Sequence, residues 1–199
     1  MSFKVKDYYF KKAKKENYLA RSVYKLEEID KKFSVLNQGN IVLDLGYHPG
    51  SWIQYVLKKI TECGQVVGVD IKPINKKLLS NKNLHLFQKD IFSIKGPKCV
   101  NLSYKVDVLL SDMAPNTTGI KSVDQDRSCE LVEKVFEMVP LFLKDGGNLV
   151  IKVFDGNDVQ KFLKSQRLKF EIFKLFKPKS TRSISKEFFV IGKGWRLKN

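Results

Sequence analysis

From Ile41 onward, short runs rich in Val, Ile and Leu alternate with helical patterns, and this alternation restricts the possible folds more than any other feature of the chain. The runs are "IVLDLG" from Ile41, "QVVGVD" from Gln65, "LHLFQKD" from Leu84, "VDVLLSD" from Val106 and "NLVIKVF" from Asn148. Helical segments lie between them and after them: one from Ser51, one of about five turns by its period from Asp126 to Leu143, and one over "DVQKFLKSQ". Near-continuous apolar runs are what strands buried on both faces look like, so the pattern predicts a doubly wound, mostly parallel sheet with helices on both faces. The last two runs, "FEIFKLFK" and "EFFVIGKG", are joined only by "PKSTRSISK". That link is too short for a crossover helix, so these two strands should pair antiparallel at one edge. The expectation is an α/β, Rossmann-like fold on a seven-stranded, mostly parallel sheet with an antiparallel edge strand.

Two helical patterns precede the sheet, "KDYYFKKAKKE" and "SVYKLEEIDKKF"; in the second, Val23, Leu26, Ile29 and Phe33 make one apolar face. With 199 residues, 43% of them apolar, the chain suits a single domain over 1–199, in which 1–36 forms a basic helical extension packed on the rest. No run approaches the length of a membrane span, and "MSFKVKDYYFKKAKK" has no apolar signal-peptide core. A soluble intracellular protein is expected, in cytoplasm, nucleus or an organelle such as the mitochondrion. Cys63, Cys99 and Cys129 form no C-x-x-C pair, which argues against a zinc cluster and a disulfide framework, and no metal site is expected.

The net charge of +16 favours a polyanionic partner, nucleic acid before anionic membrane. Its distribution matters more than its size, because 32 Lys against 5 Arg is a skew that codon usage could produce. Lysines crowd the first 32 residues with Tyr8, Tyr9, Phe10 and Tyr18 interleaved, and basic residues return in "FKLFKPKSTRSISKE". Basic residues with aromatics suit phosphate contacts and base stacking. The competing reading is a solvated helix face beside buried rings.

Four runs end with an acid close by: Asp44, Asp70, Asp90 and Asp112. In an open α/β sheet, ligands sit beyond the carboxyl ends of the strands, so several acids there outweigh the ordinary reading of each as a helix cap. Asp70 falls about 20 residues after the turn "DLGYHPGSW", the offset at which a carboxylate takes the hydroxyls of an adenosine ribose. That turn, with Gly46 and Gly50, has neither the lysine of a P-loop nor the glycine spacing of a dinucleotide site. An acid-lined pocket without a cation suits a positively charged adenosine cofactor, and S-adenosyl-L-methionine meets that requirement. Within "NLVIKVF", Lys152 sits in an apolar strand, where lysine is costly unless paired; Asp112 and Glu187 are its candidate partners. A second lysine, Lys25, lies on the helical face opposite the apolar stripe of "RSVYKLEE".

"RSVYKLEEID", "DLGYHPGSW", "SDMAPNTTG", "VIKVF" and "SKEFFVI" together resemble the FtsJ/RrmJ-type RNA ribose 2′-O-methyltransferases, in order and spacing, from about Asp7 to Gly192. The resemblance implies an S-adenosylmethionine-dependent methyltransferase fold and a tetrad of Lys25, Asp112, Lys152 and Glu187. It also implies cofactor contacts at Gly50, Trp52, Asp70, Asp90 and Asp112, with Gly46 in the same turn, Asp90 facing the adenine and Asp112 near the methionine portion. "SDMAPN" followed by "VDQDRS" is similar to the large-subunit ribosomal RNA branch rather than the tRNA branch. Tyr47 and His48 stand where the family commonly has two small residues, and Ser51 replaces a frequent glycine.

Methyl transfer from a sulfonium is an in-line displacement that a dry, aligned pocket accelerates. The acceptor hydroxyl needs its proton drawn away, a role for Lys152 either as a neutral base or as a charged group that stabilises the developing alkoxide. Lys25 would lower the Lys152 pKa while Asp112 and Glu187 would raise it, so the sequence leaves both roles open. The expected protein is a monomer that acts on ribosomal RNA or a ribosomal subunit. A tRNA or mRNA-cap ribose is the alternative substrate, and a non-catalytic RNA-binding assembly factor the alternative class, against which the four retained tetrad residues count.

Overall fold

The computed structural model describes residues 8–115 and 118–196. Two helices, α1 (Tyr8–Lys15) and α2 (Val23–Phe33), lead into β1 (Ile41–Leu45), α3 (Ser51–Ile60), β2 (Gln65–Asp70), β3 (Leu84–Gln88) and β4 (Val106–Ser111). The long α4 (Lys121–Phe142) runs directly into β5 (Leu143–Phe154), followed by α5 (Asn157–Gln166), β6 (Phe170–Phe176) and β7 (Glu187–Trp195). The seven strands form one sheet in the order β3-β2-β1-β4-β5-β7-β6. Strands β1 to β5 pair in parallel, and β7 runs antiparallel to both neighbours. The final pair therefore closes one side of the sheet as its short link requires, with β7 slotted inside and β6 on the rim.

The links between β2, β3 and β4 agree with the sequence expectation, which placed no helix there, whereas the start of α4 differs from it. Among the described residues, no α-helix joins β2 to β3 or β3 to β4; the connections carry short 3-10 turns at Lys76–Leu78, Ile91–Ser93 and Pro97–Val100. Pro73, Asn75 and Asn81 punctuate the first of these, and the Asn75 side chain accepts from the Lys77 N–H, a local bond that competes with a helix. Helix α4 starts at Lys121, five residues before Asp126, because its polar first turn gives no apolar period to read. Its buried residues, among them Val132, Val135, Val139 and Phe142, lie at helical spacing against the sheet.

The period of two along each strand decides which side chains share a face. Val42, Val66, Val108, Leu110, Val150, Phe189 and Ile191 belong to one core cluster, together with Leu26 and Ile29 of α2 and Ile53 and Val56 of α3. Leu43, Val67, Leu109, Ile151 and Val190, one residue out of step, face α4 and α5 instead. Asp44, Asp70, Lys152 and Glu187 all have the parity of the first set, and Asp112 continues it just beyond β4. Strand alternation alone thus delivers these groups to the side covered by α2 and α3.

Helix α2 is an integral cover of that face. Val23, Leu26 and Ile29 are fully buried. Its last turn is secured by Asp30, whose Oδ1 accepts from the N–H groups of Val35 and Leu36 at 3.1 and 3.0 Å and whose Oδ2 accepts from the Tyr55 hydroxyl at 2.9 Å. One buried carboxylate therefore fixes both the turn into β1 and the seat of α2 on α3. The aromatics of the N-terminal helices divide: Tyr9 and Tyr18 pack on Tyr24, while Tyr8 and Phe10 remain exposed. Among the described residues, no helix is long and apolar enough to cross a membrane.

Candidate active site

A cleft of about 400 Å³ opens beyond the carboxyl ends of β1 to β4, where the strand order reverses between β1 and β4. Gly46, Asp70, Asp90 and Asp112 line it, with Ile91, Phe92, Met113 and Leu131 as apolar walls. Its volume lies within the range of small-molecule sites. Asp70, the last residue of β2, is held rigidly: its Oδ2 accepts from the His48 N–H at 2.9 Å and its Oδ1 from the Lys72 N–H at 2.8 Å. Each oxygen keeps a lone pair for a ligand hydroxyl. Asp90 caps the short turn after β3 through the Phe92 N–H at 3.0 Å, and lines the cleft as well. The cleft is not free of cations, contrary to the expectation from sequence; Lys72 and Lys89 stand at its edge, and the Lys89 amine donates to the Cys99 carbonyl.

The turn "DLGYHPGSW" does less for the ligand directly than its glycines suggest. Gly46 has φ +75° and a side chain there would strike Met113; Gly50 has φ +114° and a side chain would strike Leu78. Both glycines are demanded by backbone and packing. Gly50 does not line the cleft, and neither does Trp52, which is buried with its indole N–H donating to the Ser22 carbonyl at 2.9 Å. Gly50 and Trp52 stand behind the cleft wall, where Trp52 ties α3 to the loop before α2. Ser51 makes a parallel tie, its hydroxyl 3.0 Å from that of Ser22. Tyr47 turns into the core beside Gly68, whereas His48 points to the cleft mouth and gives its backbone N–H to Asp70.

Behind the turn, a recess large enough for about one water is lined by Asp44, Ser22, Trp52 and Asp112. Asp44 is wholly buried and neither carboxylate oxygen has a hydrogen-bond partner. Burial first, then the carboxylates of Asp112 and Asp70, push its pKa well above the usual carboxylate range. An unsatisfied buried carboxyl is expensive, and a cation delivered to this recess would relieve it. The sequence grouped Asp44 with the strand-end acids but gave it no ligand role. Its parity with Val42, which turns it inward, was the available signal.

The four tetrad residues meet in two pairs, their side chains between 8% and 17% exposed. Lys152 Nζ lies 3.1 Å from Asp112 Oδ1 and donates to the Asp112 backbone carbonyl at 2.6 Å. Lys25 and Glu187 form the second ion pair. Lys25 is thus not on an outward face opposite the stripe; it flanks the buried side of α2 and reaches across to β7. Lys152 pairs in register with Phe189, and Glu187 with Phe154. The Lys25 amine lies 5.9 Å from the Phe189 ring and that of Lys152 5.8 Å from the Phe154 ring, so the aromatics limit water around both amines. The arrangement offers an oriented amine beside a cleft of acids. That combination suits a positively charged cofactor and proton removal from a neighbouring hydroxyl.

Comparison with known proteins agrees with this geometry. The FtsJ-like methyltransferase family matches residues 18–195. "Ribosomal RNA large subunit methyltransferase E" of Oleidesulfovibrio alaskensis is 46% identical over 97% of this chain and 93% of its own, and the protein of the same name from Bdellovibrio bacteriovorus is 44% identical over 96% and 98%. A crystal structure of a protein from Plasmodium falciparum, named as a ribosomal RNA methyltransferase, superimposes with a TM-score of 0.77 at 26% identity, covering 91% of this chain and all of that one. An Aeropyrum pernix fibrillarin with bound S-adenosyl-L-methionine shares the fold, with a TM-score of 0.62 at 18% identity, covering 86% of this chain and 76% of that one. With its sheet order, its strand-end acids and a family match over almost the whole chain, this protein belongs to the FtsJ-like methyltransferases.

Proposed function

We propose that the chain transfers a methyl group from S-adenosyl-L-methionine to a ribose 2′-hydroxyl of large-subunit ribosomal RNA, acting as a monomer with one catalytic domain. The observation that carries this reading is the partly buried Lys152–Asp112 pair at the end of an acid-lined cleft, seconded by the Lys25–Glu187 pair. The ribosomal substrate is supported by the names of the relatives, which are 46% and 44% identical over nearly the full chain.

Asp70 would hold the ribose hydroxyls of the cofactor, Asp90 would meet the adenine edge, and Asp44 with Asp112 would face the methionine ammonium. The cofactor supplies an electrophilic methyl on a sulfonium. Lys152 donates to the Asp112 carbonyl and stands 3.1 Å from the Asp112 carboxylate, which orients its amine for the acceptor hydroxyl. Lys152, in its neutral form, would take the hydroxyl proton on its lone pair as the oxygen accepts the methyl group, and the neutral thioether of the spent cofactor would be the leaving group. Lys25 and Glu187, paired between α2 and β7, would close the same face of the sheet beside that amine. The exposed Lys11, Lys14 and Lys15 of α1 supply phosphate contacts around the site.

The test is labelled-methyl transfer to isolated large subunits, free ribosomal RNA and tRNA in parallel, followed by mapping of the modified nucleotide. Label on a ribose of large-subunit RNA is expected. Label on a base would end the 2′-O reading, and label on tRNA alone would end the ribosomal one while leaving the chemistry intact.

A further inference from the structure

A second pocket of about 380 Å³ lies beyond the carboxyl ends of β4 and β5, and neither cofactor binding nor the methyl-transfer step uses it. Pro115, Gly119, Gln125, Phe154, Asp155 and Lys186 border it. It adjoins the cofactor cleft, because Pro115 lines both. The Lys152 amine stands between the two: 3.1 Å from Asp112, which lines the cleft, and 5.8 Å from the centre of the Phe154 ring, which lines the pocket.

From this placement we infer that the pocket receives the base of the acceptor nucleotide, swung out of any helical stack and laid against Phe154. The inference rests on the reading of the chain as an RNA ribose methyltransferase. In a nucleotide, the base hangs on C1′ and the reacting hydroxyl on C2′, neighbouring carbons of one ring. If the hydroxyl meets Lys152, the base must fall to one side of it. The cofactor takes one side, and the Phe154 pocket is the space on the other.

The lining suits a base. Phe154 and Pro115 supply apolar faces, and stacking on an aromatic ring tolerates any base. The polar groups are at the edge: the Gln125 amide, the Asp155 carboxylate and the Lys186 amine offer donors and acceptors to a base edge. These walls are fixed by bonds within the protein. The Asp155 N–H donates to the Lys186 carbonyl at 3.1 Å, joining the end of β5 to the start of β7. Asp124 accepts from the N–H groups of Thr118 and Gly119 at 2.6 and 3.2 Å, closing the loop that forms the opposite side. An extruded base also explains how the hydroxyl of a structured RNA could reach a recessed amine.

The experiment uses the full-length protein and the RNA that it methylates. That RNA is rebuilt by ligation with an abasic ribonucleotide, which keeps its 2′-hydroxyl, at the acceptor position, and is reassembled into subunits where they are the substrate. Loss of base stacking should lower kcat/KM by about 10- to 100-fold. Phe154→Ala should cost a similar factor on the normal RNA, Phe154→Tyr should restore most of it, and Phe154→Ala on the abasic RNA should cost little more than either change alone. Calorimetry with S-adenosyl-L-methionine checks that Phe154→Ala keeps its cofactor affinity. Should that variant fail to fold, Gln125→Ala at an exposed position replaces it: its loss on normal RNA should vanish on abasic RNA. An abasic acceptor methylated as well as the normal one, or losses that multiply, would overturn the inference. A wild-type protein that labels no ribose at all would instead remove the reading on which it rests, and the inference with it.

Discussion

Lys152 Nζ meets Asp112 twice, at 2.6 Å to its backbone carbonyl and 3.1 Å to its carboxylate, so a residue at the end of β4 orients the amine of its neighbour on β5. A lysine fixed at both the main chain and the side chain of one partner has little freedom. Replacing Lys152 by Ala should lower methyl transfer by about 10²- to 10⁴-fold, the usual share of an acid–base group. Cofactor affinity should stay within a few-fold, measured by calorimetry. Arginine should not rescue, since its guanidinium neither fits the same site nor gives up a proton. Near-normal turnover of Lys152→Ala would remove Lys152 from the chemistry.

The Lys25–Glu187 pair makes a different prediction, because it joins α2 to β7. Lys25→Ala leaves Glu187 buried without its partner, a loss that typically costs about 3–5 kcal/mol. Thermal unfolding should show a clear drop for Lys25→Ala and a smaller one for the double variant Lys25→Ala/Glu187→Gln. If the double variant were the less stable of the two, the two residues would not act as a pair.

Asp44 sets a pH dependence. Its folded pKa lies above the unfolded value, so the native state binds the extra proton between the two, and stability falls as pH rises through that window. Asp44→Asn removes the titration. The variant should melt higher than the wild type at pH 8, and the difference should fade below about pH 4, where both forms are neutral in either state. The same substitution should weaken S-adenosyl-L-methionine binding about 10-fold, the scale of one hydrogen bond to a charged group. A wild-type melting temperature that rises relative to Asp44→Asn between pH 5 and pH 8 would contradict the assignment.

Asp70→Ala should act on binding and not on the methyl-transfer step. It removes the carboxylate expected on the cofactor ribose and also releases the His48 and Lys72 N–H groups that shape the cleft wall. The KM for the cofactor should rise about 10- to 100-fold, while kcat at saturating cofactor changes little. A fall in kcat with unchanged KM would place Asp70 in the transition state instead.

Removing Lys11, Lys14 and Lys15 together should lower RNA affinity and flatten its dependence on salt. The log–log slope should drop by about one for each phosphate no longer neutralised. An unchanged slope would mean that α1 does not touch the RNA backbone.

The sequence by itself determined the class of fold and the identity of the chemical groups. Apolar runs of strand length could only be buried in a parallel sheet, and a short final link could only join antiparallel strands. Strand parity was also legible: it explains why Asp44, Asp70, Lys152 and Glu187 reach one face, although the pairing among them was not. Periodicity placed α2 correctly but put Lys25 on the wrong side of it, since a one-dimensional pattern does not show how far the neighbouring sheet wraps around a helix. The glycines of "DLGYHPGSW" looked like ligand-binding positions, whereas Met113 and Leu78, distant in sequence, are what forbid a side chain there. Tertiary structure alone decided that Asp112 pairs with Lys152 and Glu187 with Lys25, and that Phe154 opens a pocket beside the amine. Those relationships depend on strand order and register. They are set by the burial of the whole sheet and not by any local run of residues.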